Sequence, residues 1–249
     1  MNIKSSEVLG LLVLVLAIGI ASGYSMAQPQ FAQLAPFQAD GAGTISEAHT
    51  SLVAVDKAGH GVVTGLDVKT VPGSGRILVD IDSLIFFVDT QQSIQTAREV
   101  AEDYLNTNVT DRDIVYTIKI ENSSIVGGES AGGALTVATI AALTGKPLRG
   151  DTVMTGTVNQ DGTIGKIGGL EEKARAAKEA GYSVLLVPAG QGAQTTVEKM
   201  RTCERVGRST VCTVAFKQNN VSIGEDIGIT VVEVANIQDV VDHFLSEGI

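Results

Sequence analysis

The chain has 249 residues, enough for one sizeable domain with a packed core, and 28 acidic against 18 basic residues give it a formal charge of −10. No Lys/Arg cluster interrupts that acidic balance, which argues against nucleic acid as a partner. Tryptophan is absent and aromatics are 4% of the chain, so the core has to be built from small and branched aliphatic side chains.

Residues 8–21 (VLGLLVLVLAIGIA) form an apolar run that follows Lys4 and leads into SGYSMA, a small-residue ending that resembles a cleavage site after Ala27. The uncharged stretch 8–27 is also about long enough to cross a bilayer. Residues 1–27 therefore predict export, either as a removed signal peptide or as a retained membrane anchor; a core helix at a chain end would carry a polar face. Residues 28–48, with Gln, Ala, Pro and Gly and no sustained period, predict a stalk, and 49–249 the folded domain, beginning near Ser51.

Short β-rich runs follow: SLVAVD, GVVTGLDVKTV, a Pro-Gly-Ser-Gly turn at 72–75, and RILVDIDSLIFFV. They predict an opening meander of strands. A helix is expected over 90–105, with Ile94, Ala97, Val100 and Tyr104 on one face, then a strand at IVYTIKI. Residues 130–143 (SAGGALTVATIAAL), small and apolar all round, predict a central buried helix stopped at Gly-Lys-Pro. Strand TVMTGTV, a turn at 160–162, helix GLEEKARAAKEAG, strand SVLLVP, a cysteine-bearing hairpin, strand ITVVEV and helix NIQDVVDHFL complete an α/β chain of mixed sheet.

Cys203 and Cys212 are the only cysteines, and a hairpin with a Gly-Arg-Ser centre can bring them together. A disulfide is expected there, worth roughly 2–3 kcal/mol for so short a loop; two buried thiols are the alternative. His49, His60 and His243 are scattered, none at ligand spacing, so no metal is expected. Asn108, Asn122 and Asn220 stand in glycosylation sequons that matter only in a host that glycosylates exported proteins.

Lys173 falls among Leu170, Ala174, Ala176, Ala177 and Ala180 on its helix, whereas Glu171, Glu172, Arg175, Lys178 and Glu179 gather on the opposite arc. A lone charge on an apolar face is either desolvated, and so a candidate base, or snorkelled or paired. To act as a base at pH 7 its pKa has to fall by roughly three units, about 4 kcal/mol of differential interaction. Ser130 ends the glycine-containing loop IVGGES and opens the apolar helix, where free backbone N–H groups can hold an oxyanion. A plain helix N-cap is the competing reading of that serine.

The stretch from Gly127 to Pro188 carries Ser-Ala-Gly at 130–132, Met-Thr-Gly at 154–156 and Gly-Gly-Leu-x-x-Lys at 168–173, in that order, with Lys173 a spacing of 43 residues from Ser130. It closely resembles the proteolytic domain of the Lon family, and more weakly so from about residue 50 to the last helix. The resemblance implies a Lon-like α/β fold, Ser130 as nucleophile, Lys173 as general base and Thr155 as the hydroxyl that orients the lysine amine. Gly127-Gly128-Glu129 departs from the Asp-Gly-Pro of many members toward the archaeal-type membrane branch, which leaves Glu129 as a residue that tunes the loop or the lysine. Glu121 matches an acidic residue that often ends the preceding strand, and residues 197–224 have no counterpart.

Members of the family couple cleavage to an ATPase, yet no Gly-x-x-x-x-Gly-Lys-Ser/Thr occurs here, and the series Gly162, Gly165, Gly168 lacks the setting of a dinucleotide site. The expectation is therefore an ATP-independent, extracytoplasmic Ser/Lys endopeptidase acting on unfolded or flexible polypeptide. It needs no cofactor, and family analogy implies a ring-shaped homo-oligomer. A silent peptide-binding scaffold and a precursor that cuts its own stalk are the alternatives.

Overall fold

A computed structural model describes residues 45–80, 88–119 and 128–245. The expected signal or anchor, nearly all of the expected stalk, Glu121 and Asn122 lie outside the described residues. Among the described residues no helix is long and apolar enough to cross a membrane.

The first half contains β1 (Ser46–Val55), β2 (Gly61–Pro72), β3 (Ile77–Asp80), α1 (Val88–Leu105), β4 (Arg112–Lys119), a 3-10 turn (Glu129–Ala131) and α2 (Gly132–Thr144). The second half adds β5 (Thr152–Met154), β6 (Thr157–Val158), β7 (Ile164–Gly165), α3 (Leu170–Glu179) and β8 (Val184–Pro188). It ends with β9 (Ala193–Val206), β10 (Ser209–Ser222), α4 (Ile223–Ile227), β11 (Thr230–Val234) and α5 (Ile237–Phe244). Seven strands form one mixed sheet in the order β11-β8-β5-β1-β2-β4-β3. Strands β1, β2 and β4 are antiparallel neighbours, whereas β1, β5, β8 and β11 run parallel. The mixed α/β sheet expected from the sequence is the fold.

The opening strands do not form a simple meander. β4 takes the free edge of β2 over eight residue pairs, and β3 docks outside β4 in parallel, with α1 as the crossover that a parallel pair requires. Asp113 fixes this arrangement: its buried carboxylate accepts the backbone N–H groups of Ser74 (2.8 Å) and Arg76 (2.9 Å) and a forked pair of bonds from the Arg76 guanidinium (2.9 and 2.7 Å). Of the strand expected through residue 88, the described part is β3; 81–87 lie outside the described residues, and Val88 opens α1. At the other end β1 begins at Ser46, inside the expected stalk, because Ser46–Ala48 already pair with Thr70–Val68.

Alternation in β1 sends Leu52 to one face and Val53 to the other. The first face packs under α1, α2 and α5, and the second under α3 and α4, giving helices on both sides of the sheet. Helix α2 is buried from Gly132 through Ala142, as its all-round small apolar composition requires. Asn236 caps α5 in a reciprocal capping box with Asp239.

β9 and β10 pair over fourteen positions in a sheet of their own, and Cys203 and Cys212, directly opposed, are joined by a disulfide. This ribbon starts at Ala193, four residues before the elaboration expected from the sequence.

Candidate active site

Three segments converge. Ser130 lies in the 3-10 turn at the head of α2, where the N-cap position belongs to Ala131 and no side chain caps the helix, so the capping role weighed for the serine is not what it does. The Ser130 carbonyl accepts the Gly156 N–H (2.9 Å), and the Gly156 carbonyl accepts the Gly133 N–H (3.0 Å), which staples the turn to the segment after β5. That stapling explains why 152–158 is not the single strand expected: after Met154 the Thr155 N–H still donates to Leu186 (3.0 Å), and the next peptide turns to Ser130. A Cβ on Gly132 would sit 2.7 Å from the Val158 nitrogen, so glycine alone lets α2 seat against β6.

Lys173 lies one turn into α3, with Leu170, Ala174, Ala176 and Ala177 also buried; Ala180, expected on the same face, is exposed at the helix end. The lysine is only 4% exposed. Close approach of α3 to β2 permits this burial, because a Cβ at Gly61 would overlap the Glu172 carbonyl. Nζ lies 3.0 Å from Ser130 Oγ and 3.2 Å from Thr155 Oγ1, and Thr155 Oγ1 donates to the Ser130 carbonyl (3.3 Å). With its hydrogen committed there, the threonine oxygen presents a lone pair to the amine. Burial pulls the Lys173 amine down to about 8, opposed in part by the negative charge of Glu172.

The structure thus brings together Ser130, Thr155 and Lys173. Glu129 instead sits exposed at the rim, and the carboxylate whose charge reaches Lys173 is that of Glu172. A cavity of about 590 Å³ opens at the pair, with Val55, Asp89, Lys166 and Gly168 in its walls. A second, of about 680 Å³, lined by Gln92, Glu99, Asn159 and Asp161 among others, meets it at Glu129 and Thr157. Nothing local in the sequence marks Asp89 or Val55 as site residues; only the fold brings them to the cleft. The register of β1 and β2 also gathers Glu47, His49 and Asp67, which linear spacing did not foresee. Asp67 is already engaged by Lys119 and by His49 Nδ1, so the trio reads as a surface ion-pair cluster.

Fold and site together define an α/β protein that holds a serine hydroxyl against a desolvated amine. Residues 48–205 match the family described as the Lon protease (S16) C-terminal proteolytic domain. The chain is 31% identical over 128 residues to the Lon protease of Vibrio parahaemolyticus, covering 49% of this chain and 16% of that one. Over 127 residues it is 31% identical to the mitochondrial Lon protease homolog of Drosophila melanogaster (49% and 12%). The Lon protease of Escherichia coli K12 is 32% identical over 126 residues (49% and 16%). The matches span a sixth or less of these relatives' length. The chain belongs to the Lon proteolytic-domain family, and the family match ends at Arg205, inside the β9–β10 ribbon.

Proposed function

We propose that this chain is a serine endopeptidase that hydrolyses peptide bonds in unfolded or flexible polypeptides through Ser130 and Lys173. The observation that carries the proposal is the 3.0 Å approach of a buried amine, its pKa lowered to about 8, to a serine hydroxyl on an open cleft. In the reactive state the neutral amine accepts the Ser130 Oγ–H while donating to Thr155 Oγ1. Oγ attacks the scissile carbonyl carbon, its proton passes to Nζ, and the tetrahedral oxygen is held by backbone N–H groups of the 3-10 turn, that of Ser130 among them. Collapse breaks the C–N bond as Nζ returns the proton to the leaving amine. Nζ then takes a proton from water as the water oxygen attacks the acyl-enzyme, which releases the acid and restores Ser130. No step consumes ATP. Residues 1–27 would place this chemistry outside the cytoplasm, as signal or anchor.

The test is labelling of Ser130 by a fluorophosphonate across pH, together with cleavage of an unstructured protein. Labelling should rise with a midpoint near 8 and vanish in Ser130→Ala. An unreactive serine in a folded protein that leaves every unstructured substrate intact would refute the proposal and leave a peptide-binding scaffold.

A further inference from the structure

The β9–β10 ribbon supplies none of the proposed catalytic groups. In such a ribbon, directly opposed residues and residues two apart share a face. Lys199 opposes Phe216, Arg201 opposes Val214 and Cys203 opposes Cys212, with Val197 and Arg205 on the same face toward either end. Phe216 is 68% exposed, Val197 57% and Val214 43%, and the three cations are exposed as well. No acidic residue occupies any position of this face. The reverse face differs in charge rather than in apolar content: it exposes Met200 and Val211, but Glu198 opposes Lys217 and Glu204 opposes Val211, so acids outnumber its single base. On a chain of net charge −10, one acid-free, cationic and apolar face is a local reversal of sign.

We propose that this face of the ribbon docks on an anionic lipid bilayer, with Phe216, Val197 and Val214 entering the headgroup region and Lys199, Arg201 and Arg205 meeting lipid phosphates. Interleaved apolar and basic side chains on one side of an amphipathic element are what an anionic interface retains. A specific protein partner is the poorer fit, since three apolar side chains on a surface two strands wide fall short of the roughly 1,000 Å² such an interface needs. A bilayer demands no shape complementarity and gains from each cation separately. The disulfide near the turn end of the ribbon pins the register that keeps these groups on one side.

The chain has no tryptophan, so Phe216→Trp in the full-length protein creates a single fluorescent reporter. Its emission should shift to the blue, and be quenched by brominated acyl chains, when phosphatidylglycerol is mixed into phosphatidylcholine vesicles. Because the indole sits at position 216, insertion of residues 1–27 does not mimic the signal. Replacing Lys199, Arg201 and Arg205 by Gln should weaken the response on the order of a hundredfold, about fivefold per cation. In a separate protein, Val211→Trp on the reverse face should remain unquenched. An indole at 216 that ignores anionic vesicles, equal quenching at 211 and 216, or a blue shift that follows protein concentration without lipid would each overturn the proposal, the last by assigning the face to a second copy of the chain.

Discussion

At a pKa of about 8, Lys173 carries a neutral amine in roughly a tenth of molecules at pH 7, against about one in thousands for a lysine in water. The same burial destabilises the fold. The folded value lies below the unfolded one, so between about 8 and 10.5 the unfolded chain binds more protons and stability climbs with pH; below that window the penalty is complete. Lys173→Met should therefore abolish cleavage yet raise stability by up to roughly 3 kcal/mol at pH 7, a gain that shrinks toward pH 10. Denaturant titrations at both pH values check this, and a pH-independent gain would trace it to packing alone. In the proposed mechanism Thr155 positions the amine, 3.2 Å from its Oγ1. Thr155→Val, which removes the acceptor, should lower kcat by ten- to a hundredfold and displace the pH midpoint with little change in KM, and Thr155→Ser should restore both. Lys173 was legible in the sequence because a single charge interrupted an apolar arc. The effect of Glu172 was not, because a helical wheel assigns it to the solvent side even though its field reaches the amine next to it.

Among the elements, those with one strong local pattern, in period or in composition, were the most legible. The wholly apolar α2 and the two-sided α3 follow from composition and spacing, whereas β3 was misplaced because strand order depends on which partner offers the longer ladder and the better anchor. That anchor is Asp113. Burial pushes its carboxyl up, but hydrogen bonds from the Arg76 side chain and from the backbone N–H groups of Arg76 and Ser74 outweigh this and hold it below the usual range. The stability it contributes is present above the unfolded carboxylate value, near 3.8, and is lost as pH falls through the folded one. Asp113→Ala leaves the Ser74 and Arg76 backbone N–H groups without their acceptor, while the half-exposed guanidinium still meets water, and should cost about 2–3 kcal/mol in chemical denaturation. The break between β5 and β6 was equally hidden in the sequence, where Thr152 to Val158 reads as uninterrupted strand. The interruption is imposed by the Ser130 carbonyl, 25 residues away.

For the molecule as a whole, the main sheet and the ribbon are separate hydrogen-bonded units. The Cys203–Cys212 bridge spans nine positions within the ribbon alone. Reduction should therefore leave the melting temperature and the cleavage rate of the protein unchanged, while trypsin cuts faster at Arg205 and Arg208; a large drop in melting temperature would show that the ribbon supports the body. Its hairpin nature was legible from the cysteine spacing, but its length was not: Pro188, Gly190 and Gly192 mark where β8 ends, yet the run from Ala193 to Val206 keeps no strict alternation that would announce a fourteen-residue strand. Ala193 pairs with Ser222, and the Ile223 N–H returns to the Gly192 carbonyl at 3.0 Å, so the chain departs and re-enters the body at one spot. In descent this makes the ribbon an appendage that a lineage can lengthen, swap or discard while β8 and α4 keep their places, with the surroundings in which the domain works free to diverge faster than its chemistry.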